Sequence, residues 1–115
     1  MDYAYKMIKI FLIFFILIFG CAPRIEFYSQ QLRTDINRFN ILVVDMNFIN
    51  KDEKEIIKDF NAVCITYGLS GTTLDYKSER IYQTIQPKSE VLVKNINMGF
   101  INPQTVKVEC RPSRY

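Results

Sequence analysis

Three cysteines are the residues of this 115-residue chain that are best placed to do chemistry. The chain has no histidine, and so lacks the commonest general base and metal ligand of proteins. Cys21 follows an apolar run, whereas Cys64 and Cys110 lie far apart in the rest of the chain. Two lone cysteines cannot complete a tetrahedral zinc shell without carboxylates. The cysteines therefore favour covalent attachment and cross-linking over catalysis.

The segment before Cys21 has the features of a secretion signal. Lys6 and Lys9 precede ten apolar residues, Ile10–Phe19, and Gly20 stands directly before the cysteine. A charged start, a short apolar core and a small residue before the cleavage position are typical of such signals. In a helix, this run covers only about half of the ~30 Å apolar core of a bilayer. Two alternatives remain, an uncleaved anchor and a buried N-terminal helix of a cytosolic protein.

The ending Ile18-Phe19-Gly20-Cys21 resembles the lipobox of bacterial lipoproteins. The resemblance implies a signal peptide over residues 1–20 and a lipid on Cys21, which becomes the first residue of the mature protein. It implies a protein anchored in the bacterial cell envelope by this lipid. Ala22 at the next position favours the outer membrane in a host with two membranes, again by resemblance.

The charge balance of the exported chain argues against a nucleic-acid partner. Residues 1–20 hold two of the 15 basic and one of the 12 acidic residues, which leaves 13 and 11 and a net charge of +2. Charges this balanced and interspersed do not form a basic binding surface. Nothing in the sequence indicates a cofactor or a small-molecule substrate.

Export favours a disulfide between Cys64 and Cys110. An oxidising compartment allows the bond to form and persist, and a small domain with a limited core gains from such a cross-link. The alternatives are two free buried thiols or a metal site.

The exported chain reads as strands separated by turns, which predicts an all-β fold. Residues 21–38 are polar and mixed and are interpreted as a lipidated tether with a short strand or helical turn. Residues 39–115 are predicted to form a small antiparallel β-sandwich. The expected strands are Phe39–Ile49, Ile56–Tyr67, Ser78–Ile85, Glu90–Phe100 and Thr105–Cys110.

Details of three segments follow from side-chain alternation and turn chemistry. The first strand should bury the apolar face formed by Leu42, Val44, Met46 and Phe48. Residues 50–55 are charged and are interpreted as a hairpin loop. In the strand at 90–100 the apolar set changes face, which predicts a bulge near Lys94.

Parts of residues 39–108 resemble the immunoglobulin-like exported domains known as FxLYD. The resemblance rests on a strand that ends near Asn50, the long strand Ile57–Tyr67, a loop with Gly71 and the turn Ile85-Gln86-Pro87. Lys88 stands where that family usually has glycine. The resemblance implies an immunoglobulin-like accessory or binding module with no catalytic residues.

The remaining polar residues give no pattern of an active site. Ser70 and Ser78 have no evident activating base, and Gly68–Thr73 lacks the lysine of a phosphate-binding loop and is interpreted as a turn. No spacing forces two carboxylates into one cleft, so we expect no enzyme. The candidates for such a pair are Asp45, Asp59, Asp75, Glu79 and Glu90.

The outer face of the strand Ile56–Tyr67 is apolar, so we expect another segment or a partner protein to cover it. If Phe60, Ala62 and Cys64 face the core, then Val63, Ile65 and Tyr67 form an apolar row on the outside. Either the N-terminal segment folds over this row, through Ile25, Phe27 and Leu32, or a partner protein docks on it.

Two classes of function fit these observations. The first is a non-enzymatic envelope lipoprotein that binds another envelope protein as an assembly or accessory module. The second is an inhibitory or exclusion lipoprotein, either a receptor blocker of the phage or plasmid type or a lysozyme inhibitor. For a lysozyme inhibitor, Tyr76-Lys77-Ser78 is the candidate loop.

Overall fold

The computed structural model describes residues 26–114, which form six strands and no helix. The predicted signal peptide at residues 1–20, Cys21 and Ile25 lie outside the described residues. The strands are β1 (Phe27–Ile36), β2 (Ile41–Asn50), β3 (Ile57–Tyr67), β4 (Thr73–Ile85), β5 (Ser89–Phe100) and β6 (Lys107–Ser113).

The six strands form two three-stranded antiparallel sheets packed as a small β-sandwich, which confirms the predicted fold class. One sheet has the order β1-β2-β5 and the other the order β4-β3-β6. Since β2 and β3 lie at the centres of different sheets, residues 51–56 cross between sheets. The hairpin loop predicted there is therefore wrong.

Strict alternation along β2 supplies the centre of the core. Leu42, Val44, Met46 and Phe48 are fully buried, as predicted. From the opposite sheet, Phe60 meets this face, with 4.6 Å between the Phe48 and Phe60 ring centroids. The core therefore lies between the two central strands.

The segment interpreted as a tether contains a strand of the sandwich. β1 pairs with β2 along its length, from Phe27 opposite Asn50 to Ile36 opposite Leu42. The Phe27 ring packs edge-on against Phe60 with 5.1 Å between centroids. The sandwich thus begins at Phe27 rather than at residue 39, because β1 carries an aromatic anchor that a mixed polar composition conceals.

Two strand boundaries also differ from the prediction. β4 begins at Thr73 instead of Ser78, and β6 runs from Lys107 through Pro112 to Ser113 instead of ending at Cys110. Both extensions contain polar residues, and for this reason the sequence predicts a turn before Ser78 and a polar tail after Cys110.

The predicted bulge near Lys94 is confirmed, since the pairing of β5 with β2 skips Lys94 and Asn95. Asn95 has φ 57°, in the left-handed region that asparagine tolerates better than most residues. The Asp45 carboxylate accepts hydrogen bonds from the Asn95 backbone amide at 2.8 Å and from Arg33 Nε at 3.1 Å. These bonds, the Asn95 amide foremost, lower the pKa of Asp45. Asp45 therefore holds the bulge in place.

Asn50 is a fully buried polar residue at the end of β2. Its side-chain amide nitrogen donates to the carbonyl oxygens of Glu55 at 2.8 Å, Ile85 at 3.1 Å and Gln86 at 3.2 Å. Its side-chain oxygen accepts the backbone amide of Asp52 at 3.0 Å. One side chain therefore joins β2, the crossover loop and the connection from β4 to β5.

Candidate protein-binding face

The residues predicted to form a partner surface lie on β3, the central strand of the second sheet. Phe60, Ala62 and Cys64 are fully buried on the inner side of β3. Val63, Ile65 and Tyr67 alternate with them, so their side chains lie on the outer side. Ile65 and Tyr67 are partly buried, but Val63 is only 1% exposed and offers almost no surface to a partner.

The strand register shows which side chains surround this row. In antiparallel sheets, directly opposite residues share a face. Ile65 lies opposite Tyr76 on β4 and Glu109 on β6, while Val63 lies opposite Ser78 and Arg111. We call the set of Ile65, Tyr67, Tyr76, Arg80, Lys107, Glu109 and Arg111 the β3 face.

Of the N-terminal residues expected to cover the β3 face, Phe27 and Leu32 do not lie on it, and Ile25 is outside the described residues. Phe27 points into the core, and Leu32 is 57% exposed on a strand of the other sheet. Among residues 26–114, the row is flanked by the side chains of β4 and β6, and Ile65 and Tyr67 stay partly accessible.

Charge on the β3 face is distributed unevenly. The Lys107 ammonium lies 2.8 Å from the Glu109 carboxylate and 5.9 Å from the centroid of the Tyr67 ring. The hydrogen bond and ion pair with Lys107 lower the pKa of Glu109, and the Tyr67 hydroxyl adds a smaller contribution. The same partnership raises the pKa of Lys107. The single carboxylate of this face is therefore already neutralised.

Two arginines of the β3 face have no such partner. Within residues 26–114, neither Arg80 nor Arg111 makes an ion pair, and both are exposed. Tyr76 on the same face is 61% exposed. Tyrosine and arginine are enriched at the energetic centres of protein interfaces.

A shallow depression of about 390 Å³ borders the β3 face at the β6 edge. Ile65, Tyr67 and Arg111 line it together with Gln31 from β1. The Gln31 side chain reaches across from the other sheet, accepts the backbone amide of Cys110 at 2.9 Å and donates to the Val108 carbonyl at 3.3 Å. The concavity is thus formed where the two sheets meet.

Cys64 and Cys110 form the predicted disulfide. They lie directly opposite each other on β3 and β6, with 4.0 Å between their Cα atoms, so the bond joins neighbouring strands of one sheet. Because the sulfurs are bonded to each other, the free-thiol and metal alternatives for this pair fall away. No cluster of three metal-ligating side chains occurs among residues 26–114.

The other candidate polar residues have structural positions. Gly68–Thr72 closes the β3–β4 turn, with Gly71 at φ 81° and its amide 3.0 Å from the Gly68 carbonyl oxygen. Asp75 accepts the Thr66 hydroxyl at 3.0 Å and the Asn102 amide at 2.7 Å. Tyr76-Lys77-Ser78 lies inside strand β4 and is not a projecting loop, which removes the motif behind the lysozyme-inhibitor hypothesis.

Sequence reasoning missed Tyr76, Arg80 and Arg111 as neighbours of the row. Their placement depends on the register of β4 and β6 against β3, which no local pattern specifies. The alternation Tyr76-x-Ser78-x-Arg80 was an available signal, but it required a strand that begins at Thr73.

Comparison with known protein families, curated proteins and solved structures gives no significant match. The structure itself defines the class of the protein as a small disulfide-bonded β-sandwich. Among the described residues, no helix has the length and apolar character needed to span a membrane.

Proposed function

We propose that this chain is a non-enzymatic lipoprotein of the bacterial envelope whose sandwich binds another envelope protein through the β3 face. The observation that carries the proposal is the combination on one face of exposed Tyr76, partly buried Ile65 and Tyr67, and two arginines that make no ion pair with any described residue. Such a face gains apolar burial and new charge-assisted hydrogen bonds when a partner covers it.

Attachment through Cys21 suits the position of this face. The described chain begins at Glu26, whose carbonyl oxygen accepts the Lys51 amide at 2.9 Å, at the end of the sandwich that holds Asn50. Four residues separate Cys21 from Glu26, so the two positions lie at most about 18 Å apart along an extended chain. A lipid on Cys21 would therefore hold the sandwich close to the membrane with the β3 face at its side.

Replacing Cys21 with serine should leave an unlipidated precursor with no fatty-acid label. The lipid attaches through the cysteine sulfur, which serine lacks, so processing at this position should stop. Metabolic labelling with a fatty acid and the mass of the purified protein measure the outcome. Equal membrane binding by both proteins, with no label on either, would contradict lipidation.

Tyr67→Ala should abolish co-purification of the partner and lower the melting temperature by only a few degrees. The substitution removes an aromatic ring from the β3 face, but the ring is outside the core cluster. Mild crosslinking in native membranes followed by affinity capture measures the first effect, and thermal unfolding measures the second.

Tyr28→Ala is the matched control. Tyr28 is 49% exposed on the other sheet, and its ring lies 5.1 Å from the Lys51 ammonium, much as Tyr67 lies beneath Lys107. The control should keep partner capture. Equal capture by wild type, Tyr67→Ala and Tyr28→Ala would show that the β3 face is not the docking surface.

A further inference from the structure

Three loops form one end of the sandwich and are joined by backbone hydrogen bonds. The Ile101 amide donates to the Asn40 carbonyl at 2.9 Å, and the Val106 amide donates to the Tyr67 carbonyl at 2.9 Å. We call residues 37–40, 68–72 and 99–106 the loop end. It lies opposite the end where Glu26 meets Lys51, because β1 and β2 run between the two.

Large apolar side chains project from the loop end. Phe39 is 59% exposed, Phe100 68% and Leu69 92%, and Val106 is also exposed. Phe39, Leu69 and Phe100 belong to three different segments, so the apolar surface of the loop end is built from the β1–β2 turn, the β3–β4 turn and the end of β5.

The exposure of Phe100 is produced by the backbone. Inward-facing Ile96 and Met98 predict an inward side chain at position 100, but a shift in the β2–β5 register intervenes next to Gly99. Gly99 has φ 84°, which glycine adopts without steric cost. After this shift Ile101 is buried and Phe100 faces solvent.

The loop end is almost free of charge. Its loops contain no aspartate or glutamate, and Arg38 is their only charged residue. The Arg38 guanidinium lies 4.9 Å from the centroid of the Phe39 ring. At the opposite end, by contrast, residues 51–55 are Lys-Asp-Glu-Lys-Glu.

We infer that the loop end inserts Phe39, Leu69 and Phe100 into the interfacial region of a phospholipid bilayer. A bilayer accepts apolar side chains from several segments without a matching pocket for each. The loops themselves carry no carboxylate, and the nearby Asp75 carboxylate is occupied by the Thr66 hydroxyl and the Asn102 amide. Repulsion of lipid phosphates is therefore small, and Arg38 attracts them.

The bilayer that receives the loop end is a second membrane, which faces the membrane that anchors the protein. This step rests on the proposed attachment through Cys21. The ten residues of β2 span about 33 Å between the attached end and the loop end, so in an upright molecule the loop end points away from the anchoring membrane. The molecule would then bridge two membranes.

The chain contains no tryptophan, so Phe39→Trp gives a single fluorescent reporter at the loop end. The full chain carrying this change is reconstituted in unbrominated phosphatidylcholine–phosphatidylglycerol vesicles. A second population of vesicles made of brominated lipids is then added. We expect the tryptophan emission to shift to the blue and to be quenched. Ile56→Trp, at the charged end of the molecule, is the control and should show neither change.

Adding Phe100→Ser and Leu69→Ser to the reporter protein should reduce bridging of the two vesicle populations by about tenfold, since binding scales with inserted apolar area. Reporter protein that floats with its own vesicles but is not quenched by the second population overturns the inference. So does quenching only when its own vesicles carry the bromine, because the loop end then lies on the anchoring membrane. Failure to float with any vesicle overturns the proposed attachment instead.

Discussion

Replacing Cys64 and Cys110 together with alanine should lower the free energy of unfolding by about 4 kcal/mol. The disulfide closes a sequence separation of 46 residues, and its removal returns that loop's conformational freedom to the unfolded chain. Because a domain of this size has a limited total stability, we expect a large unfolded fraction at 37 °C. Urea unfolding of the oxidised wild type and the double variant measures the difference.

The reducing agent supplies the control for this experiment. Wild-type protein treated with dithiothreitol should approach the stability of the double variant, whereas the variant itself should not respond. Equal unfolding midpoints for the oxidised wild type and the variant would contradict the prediction. Non-reducing mass spectrometry of a tryptic digest should also show the two cysteine peptides linked.

Asn50→Asp should cost about 3 kcal/mol of folding stability at neutral pH, although it changes a single atom. The substitution places a carboxylate oxygen where an amide nitrogen now donates to three carbonyl oxygens. Burial and these carbonyls would raise the pKa of the new carboxyl in the folded state. Lowering the pH should therefore recover part of the stability, because the protonated acid can again donate. Urea unfolding at two pH values measures both effects.

Asn47→Asp on the same strand is the matched control. Asn47 lies on the outer side of β2 and is partly exposed, so a charge there remains hydrated. We expect a loss below about 1 kcal/mol and no recovery at low pH. A loss for Asn50→Asp as small as that of the control would show that the buried network contributes little.

The central part of the sandwich was predictable because its signals are local. The alternation from Leu42 to Phe48 is unbroken, and the change of apolar face near Lys94 marks a bulge within one strand. The disulfide was predictable from the expected export and from the two cysteines that remain after Cys21. Each of these inferences needs only neighbouring residues or a simple count.

The missed features depend on contacts between distant segments. β1 has few apolar residues, and it becomes a strand because Phe27 reaches the aromatic cluster and its backbone pairs with β2. Likewise, the exclusion of Val63 from solvent follows from its position between β4 and β6. The sequence around a residue does not specify which strand will lie beside it, so the composition of the β3 face could not be inferred.

The Gln31 side chain has a consequence for self-association. An unpaired sheet edge is a template for adding a further strand from a second molecule. The outward amide of Cys110 and the outward carbonyl of Val108 are already occupied by Gln31, and Pro112 has no amide hydrogen to offer. A strand that pairs with this part of the β6 edge would have to displace the Gln31 side chain, so the edge is a poor template for pairing between two molecules.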